Sequence, residues 1–426
     1  MQLEYIASGT SHTRFSLSKC MGSDEALALI NNHVLDVVQG VNDHQYGLLF
    51  NAYTEKRYGP VFHDHFTKAS SIHADSGGLQ VMTLGRVLTE EVKEGVYETQ
   101  SKYSDVAMSF DEIPVQITQK AIKAVTTGRF FDKDIFEEKA KRSGYNLAKQ
   151  IEYFDKVGSN AKAMLIIQGN GIEWFKKWTE IVLKEVPQDM WKKIAGVSIS
   201  SSVLGGGLLE SVEQAAAIPF LPCPDEIKGK VHLLGVGSIK RLFPFALLYQ
   251  SGFLKPDHLS YDSTSHTIGL SNGTFISKDG RLRKFGKHHV KNMEDYLDQI
   301  VEAFPFFSGK FNLEDAVASL ATTSSSESWE YFGNDERIRE YHAFMFAATF
   351  TSVQNMTYHV SQSFYDQTSL LSSLGAEGLS NLQSLLEVND ESSFNHWMKT
   401  IGSRYIQSQR IPEKSASSTA SLDDLF

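Results

Sequence analysis

The sequence predicts an α/β protein, a (β/α)8 TIM-type barrel with insertions and a helical C-terminal part. Two observations lead there. Short apolar runs end in small or polar residues and are followed by amphipathic stretches long enough to be crossover helices, the rhythm of parallel strands. Carboxylates and an amide then fall just after the last apolar residue of several runs, and in a parallel barrel those positions converge on one rim. A doubly wound sheet would also collect residues at the carboxyl ends of its strands, and pattern alone does not separate the two.

Five runs carry the strand pattern. Ser71-Ile-His-Ala-Asp75 leads into Ser76-Gly-Gly, Val106-Ala-Met-Ser-Phe110 into Asp111, and Ala163-Met-Leu-Ile-Ile167 into Gln168-Gly169. Ile194-Ala-Gly-Val-Ser198 and Val231-His-Leu-Leu-Gly235 follow, and a sixth, Leu259-Ser-Tyr261 into Asp262, is weak by pattern alone. Phe131–Val157 and Trp174–Val186 are the amphipathic stretches between them. Beyond residue 290 the pattern turns helical, clearest at Met293–Phe304 and Glu340–Phe364, with a Ser/Thr-rich break at Thr322–Ser328. This divides the chain into a barrel over residues 1–290 with a divergent N-terminal part, a helical part over 291–407, and a disordered tail over 408–426, rich in Ser and Ala.

Composition bounds the function. The chain has 426 residues, 41 Lys+Arg against 51 Asp+Glu and a formal net charge of −10, with 27 Phe and 16 Tyr to fill a core. Two cysteines, Cys20 and Cys223, make neither a disulfide framework nor a Cys-x-x-Cys zinc pair, so a reducing, cytoplasmic setting is expected. No basic segment followed by an apolar run opens the chain, and no stretch of about 18 apolar residues occurs, so neither secretion nor a membrane span is expected. The acidic balance argues against coating nucleic acid through bulk charge, though a local basic strip could still bind it.

The chemistry-bearing residues sit at the predicted strand ends. Asp75-Ser-Gly-Gly-Leu-Gln80 places a carboxylate before two glycines, which allow a tight turn and close approach of the backbone to a flat ligand. Ser109-Phe-Asp111-Glu-Ile-Pro114 adds a second carboxylate, Gln168-Gly169 an amide that both donates and accepts, and Tyr261-Asp262-Ser263 a third carboxylate ahead of Ser271-Asn-Gly273. Each alone is ordinary turn or cap chemistry; their combination and order are more specific.

In that order they resemble the tRNA-guanine transglycosylases and their relatives. The family's Asp-Ser-Gly-Gly-aromatic-Gln motif looks like Asp75–Gln80, its Phe-Asp-Glu like Phe110–Glu112, its Val-Gln-Gly like Ile167-Gln168-Gly169 and its Leu-Met-Gly-Val-Gly like Leu233-Leu-Gly-Val-Gly237. Its nucleophilic Asp precedes an Asn-Gly pair at a spacing that Asp262 and Asn272-Gly273 reproduce. The likeness spans residues 70–365, short motifs set in divergent filler. It implies a base exchange in which Asp262 attacks C1′ of a guanine nucleotide and Asp75 is the general acid and base. Asp111 and Gln168 would read the base edges; Ser76, Gly77, Leu79, Gly169 and Gly235 would line or closely approach the base. No cofactor is implied.

Four departures point to a branch. Leu79 stands where the family has a stacking aromatic residue. Ile268 and Ser271 stand where the bacterial enzymes carry two arginines that read tRNA uridines, and neither can make a bidentate contact. The positions matching the family's zinc cysteines are Ser328, Glu330 and Gly333, upstream of His342 and His359, so no metal is expected. The family's paired glycines are replaced around Val197-Ser198, and Gly205-Gly-Gly207 nearby is either a mobile loop or a linker. A basic strip remains, comprising Lys278, Arg281, Arg283, Lys284, Lys287 and Lys291 with His288 and His289, which would give sequence-tolerant phosphate contacts or form a solvated hairpin face.

The expectation is therefore a DNA-guanine transglycosylase of the kind many bacteriophages carry, exchanging guanine in DNA for a free 7-deazaguanine such as preQ0. A homodimer is compatible with it, and a phage-encoded enzyme would work in the host cytoplasm. The alternatives are a divergent tRNA-guanine transglycosylase, a non-catalytic paralogue that binds nucleic acid, and a barrel glycosidase acting on sugars.

Overall fold

Eight parallel strands close on themselves in chain order. They are β1 (Leu3–Ser8), β2 (Tyr46–Asn51), β3 (Ile72–Asp75), β4 (Val106–Met108), β5 (Lys162–Ile167), β6 (Ile194–Ser200), β7 (Lys230–Leu234) and β8 (His258–Ser263). Pairing of β1 with β8, Ile6 opposite Asp262, closes the barrel and excludes the doubly wound sheet. The computed structural model describes residues 3–9, 46–67, 69–83, 87–118, 121–124, 126–127, 130–131, 133–169, 171–200, 208–236, 239–263, 274–276, 282–284, 353, 357–358, 360–361 and 374–404.

Helices alternate with the strands: α1 (Gly59–His65), α2 (Gly78–Thr83), α3 (Glu90–Tyr103), α4 (Lys133–Val157), α5 (Ile172–Glu185), α6 (Leu208–Ala217) and α7 (Ile239–Gln250). Their starts and buried stripes follow from sequence. Thr89 caps α3 by accepting from the Val92 N–H, with Glu90 and Glu91 in the first turn where the helix dipole favours them. Along α4, Phe136, Ala140, Leu147, Ile151 and Phe154 recur at helical spacing and are buried.

Strand alternation sorts the barrel's two faces. Tyr5, Ala7, Leu48, Phe50, Ala74, Leu165, Val231, Leu233, Leu259 and Tyr261 share one core with Val96, Phe136 and Trp178 from the helices. The intervening residues point inward, where Met108, Met164 and Ile166 form a separate small cluster. The interior also holds the apolar Ile6 and Leu49 and a set of buried polar side chains, His73, Ser198, His232 and Ser260.

Neither β1 nor β2 belongs to the runs singled out in the sequence. Glu4 interrupts β1, yet it is buried against partners remote in the chain: His258 Nε2 lies 2.7 Å from its carboxylate and the Ser70 hydroxyl donates to it. Gly47 interrupts β2 at a point where a Cβ would sit 2.4 Å from Ile6 Cδ1. Both departures from the apolar pattern are set by tertiary neighbours.

The last described segment packs onto the barrel's outer core. Helix α8 (Gly375–Gln383), the 3-10 turn Ser384–Glu387 and helix α9 (Glu391–Trp397) bring Leu382, Leu385, Phe394 and Trp397 into it. A capping box between Asp390 and Ser393 starts α9, and the Phe394 ring stacks on Phe253 at 5.6 Å between centroids. Further upstream, Thr357 Oγ1 lies 2.6 Å from Tyr261 Oη on the outer face of β8. The stretch Met293–Phe304, the break Thr322–Ser328 and the tail from Ser408 lie outside the described residues, as does most of Glu340–Phe364.

Candidate active site

Asp75 is the last residue of β3 and pairs in register with Asn51, the last of β2. Asn51 Oδ1 accepts from the N–H groups of Tyr53 at 3.0 Å and Thr54 at 2.9 Å, which turns its Nδ2 toward Asp75 Oδ2 at 3.0 Å. The Gly77 N–H donates to the same oxygen at 3.2 Å. Gly77 has φ +76°, and a Cβ there would lie 2.6 Å from Tyr53 Cβ, so this turn requires glycine. Ser76 is buried, its hydroxyl accepting from the Gly78 N–H at 3.3 Å.

Asp111 follows the short strand β4. Its segment is pinned to α4, where Asn146 Nδ2 donates to the Phe110 carbonyl at 3.3 Å and Ser143 Oγ accepts from the Glu112 N–H at 2.8 Å. Glu112 pairs with Lys139 at 2.8 Å and Arg142 at 3.6 Å, away from Asp111's own partner. That partner is Gln168, at the end of β5, whose Nε2 donates to Asp111 Oδ2 at 2.5 Å. Gln100 of α3 ties the two strand ends together, donating to the carbonyls of Ala74 at 3.1 Å and Met108 at 2.9 Å.

Asp262 projects inward from β8. Its Oδ1 accepts from the Gly235 N–H at 2.8 Å and lies 3.2 Å from His232 Nε2. Gly235 has φ +65°, a left-handed turn that directs its N–H from the end of β7 to the neighbouring strand. His232 Nδ1 meets Ser260 Oγ at 2.9 Å. The His73 ring approaches from β3, across the barrel, with centroids 5.1 Å apart.

Electrostatics separate the carboxylates. Burial, reinforced by Asp111 and then Asp262, pushes Asp75 up to about 7, with the N–H groups of Gly77 and Ser76 acting the other way. Burial raises Asp111 to about 6, opposed chiefly by the Gln168 hydrogen bond. Burial, then the neighbouring His232, holds His73 well below the ordinary histidine range, so an uncharged ring lies beneath the acidic rim. Such a rim can protonate a leaving group from one carboxyl and attack with another, the division of labour in retaining glycosyl transfer.

The structure thus brings together Asp75, Ser76, Gly77, Asp111, Gln168, Gly235 and Asp262. Gly169 is buried beneath α5, where a Cβ would lie 2.8 Å from the Phe175 N, so the geometry explains its size by helix packing. Leu79 lies on α2, and its side chain is outside the described residues. Arg283 and Lys284 lie on the second strand of an antiparallel hairpin, opposite Phe275 and Thr274. Lys278, Arg281, Lys287, Ile268, Ser271, Ser328, Glu330, Gly333, His342 and His359 are outside the described residues. Among the described residues no cluster of three or more His, Cys, Asp or Glu could hold a metal ion. No helix of the described residues is long and apolar enough to cross a membrane.

Asn51, His73, His232 and Ser260 join the site without having been singled out. The signal for three of them was a polar residue flanked by apolar ones inside a strand, as in Val231-His-Leu and Leu259-Ser-Tyr. Fold and site together define a (β/α)8 barrel with a carboxylate-lined rim. No protein-family model matches the chain, and no curated protein matches its sequence.

Proposed function

We propose that the chain is a DNA-guanine transglycosylase that exchanges guanine in DNA for a 7-deazaguanine such as preQ0 through a covalent Asp262 intermediate. The observation that carries this is the contrast between two rim carboxylates. Asp75, raised to about 7, can give and take a proton near neutrality, while Asp262 Oδ1 is held by the Gly235 N–H and lies against His232 Nε2, which fixes the carboxylate at the rim. In the first half-reaction a lone pair of Asp262 forms the bond to C1′. The C1′–N9 bond breaks with its electrons going to guanine, which takes a proton from Asp75. In the second, the incoming base loses its N9 proton to Asp75, its nitrogen bonds C1′, and the ester electrons return to Asp262.

Asp111 and Gln168 support base recognition. Their 2.5 Å contact presents a paired acceptor and amide at the rim, suited to the donor and acceptor edge of a purine. Because the target C1′ must reach this rim, the nucleotide is flipped from the duplex or taken from a single strand. The likeness to the transglycosylases supplies the substrate class, and the absence of the two tRNA-reading arginines at Ile268 and Ser271 favours DNA. The test is incorporation of labelled guanine or preQ0 into single-stranded DNA, duplex DNA and tRNA. DNA labelling is expected; labelling of tRNA alone would make the chain a divergent tRNA enzyme, and labelling of neither would remove the activity.

A further inference from the structure

The inward-facing ladder below the rim places three side chains in sequence: Ser260, His232 and Asp262. His232 and Ser260 are register partners on β7 and β8, and Asp262 lies two residues beyond Ser260 on the same inward face. The His232 ring is wholly buried, with Ser260 on one nitrogen, Asp262 on the other and the His73 ring against it. A nucleophilic Asp262 is a carboxylate with no hydrogen to offer, so in that role its contact with His232 takes the hydrogen from Nε2. In a neutral ring Nδ1 is then an acceptor, which is what a Ser260 hydroxyl at 2.9 Å satisfies. Among the described residues, both hydrogen bonds to Asp262 fall on Oδ1.

We propose that His232 is the positioning residue of the nucleophile, holding Asp262 Oδ1 together with the Gly235 N–H so that Oδ2 is the oxygen that bonds C1′. The inference rests on the transglycosylase reading of Asp262. Once Oδ2 carries the sugar, Oδ1 is the carbonyl oxygen of an ester and a weaker acceptor than a carboxylate. When the C1′–Oδ2 bond breaks, its electron pair returns to the carboxylate and negative charge grows again on Oδ1, where both donors already point. Those hydrogen bonds therefore strengthen on the way to release and weaken on the way to attack. His232 therefore speeds opening of the glycosyl ester, while in its formation the positioning of Oδ2 is set against the cost of weakening these hydrogen bonds.

The experiment follows formation and decay of the protein–DNA adduct in single turnover for wild type, His232→Phe and His232→Gln. Phe removes both ring nitrogens, whereas the Gln amide restores a donor near the Nε2 position. His232→Phe is expected to slow adduct decay by about 10- to 100-fold, the scale of one lost charge-stabilising donor. Formation should slow less, so the adduct accumulates, while the KM for the incoming base stays unchanged. His232→Gln should recover most of the decay rate. An adduct fraction within twofold of wild type in His232→Phe, or a folded His232→Gln as slow as Phe, would overturn the proposal.

A second measurement needs no turnover. In protein labelled with 15N-histidine, the signal lost in His232→Gln should show the neutral Nε2–H tautomer, and it should move in Asp262→Ala and in Ser260→Ala. The opposite tautomer, or no response to Asp262→Ala, would refute the contact. If wild type exchanges no base, the transglycosylase reading falls, and these spectra alone decide whether His232 holds Asp262.

Discussion

Asn51 and Asp75 face each other in register at the ends of β2 and β3, and the Asn51 amide donates to Asp75 Oδ2 at 3.0 Å. The contact favours the Asp75 anion and so restrains the rise that burial, Asp111 and Asp262 impose. In Asn51→Asp the carboxylate can still accept from the Tyr53 and Thr54 N–H groups, but a donor to Asp75 becomes a like charge. Asp75 should then hold its proton to higher pH. The alkaline limb of kcat/KM, expected near pH 7 in wild type, should move upward. A limb that stays in place would detach Asp75 from the acid role.

Wild type quenched in mid-turnover is expected to show a covalent protein–DNA species on denaturing gels, and Asp262→Ala and Asp262→Asn should leave none. Loss of activity should exceed about 1,000-fold, since the covalent route needs the bond from this carboxylate to C1′. Persistence of the adduct in either variant would mean that another residue is the nucleophile.

Asp75→Asn should retain nucleic-acid binding and lose exchange, and it should also change stability in a pH-dependent way. Native Asp75 keeps its proton up to about 7 while the unfolded chain gives it up near 3.8, so the wild type loses stability as pH rises between those values. Asp111, raised to about 6, contributes with the same sign. Removing the Asp75 term should raise the melting temperature relative to wild type at pH 8 and leave little gain at pH 4. The difference corresponds to about 1–3 kcal/mol. Equal effects at the two pH values would contradict a raised Asp75.

Charge reversal across Arg281, Arg283 and Lys284 should weaken DNA binding and flatten its salt dependence, measured by titrations at several salt concentrations. Unchanged affinity and slope would leave the hairpin that carries Arg283 and Lys284 as a solvated surface element.

Phe394→Ala should cost about 3–5 kcal/mol in denaturant unfolding, because its ring is buried and stacked on Phe253. A loss below about 1 kcal/mol would show that the C-terminal helices contribute little to the barrel's stability.

The rim was legible in sequence because carboxylates follow apolar runs directly. Asp75, Asp111 and Gln168 each close a strand pattern strong enough to see, and Asp262 was reached through a weaker one. What escaped was what tertiary pairing creates. Glu4 disguises β1 because its partner His258 is supplied from β8. Asn51 could not be linked to Asp75 without knowing that β2 exists and which register it takes, since a shift of one residue would turn Asn51 outward. His232 lies within a run read as a strand, and only closure of the barrel brings Ser260 and Asp262 to its two nitrogens. The hydrophobic period shows which residues alternate, whereas the meeting of inward polar residues depends on shear and closure.

Consecutive residues Tyr261 and Asp262 point to opposite sides of β8, one to Thr357 outside and the other to the barrel's interior. A single peptide unit therefore carries both the anchorage of a distant segment and the group assigned to bond formation. Shortening the chain before residue 353 would strip that outer hydroxyl contact from β8.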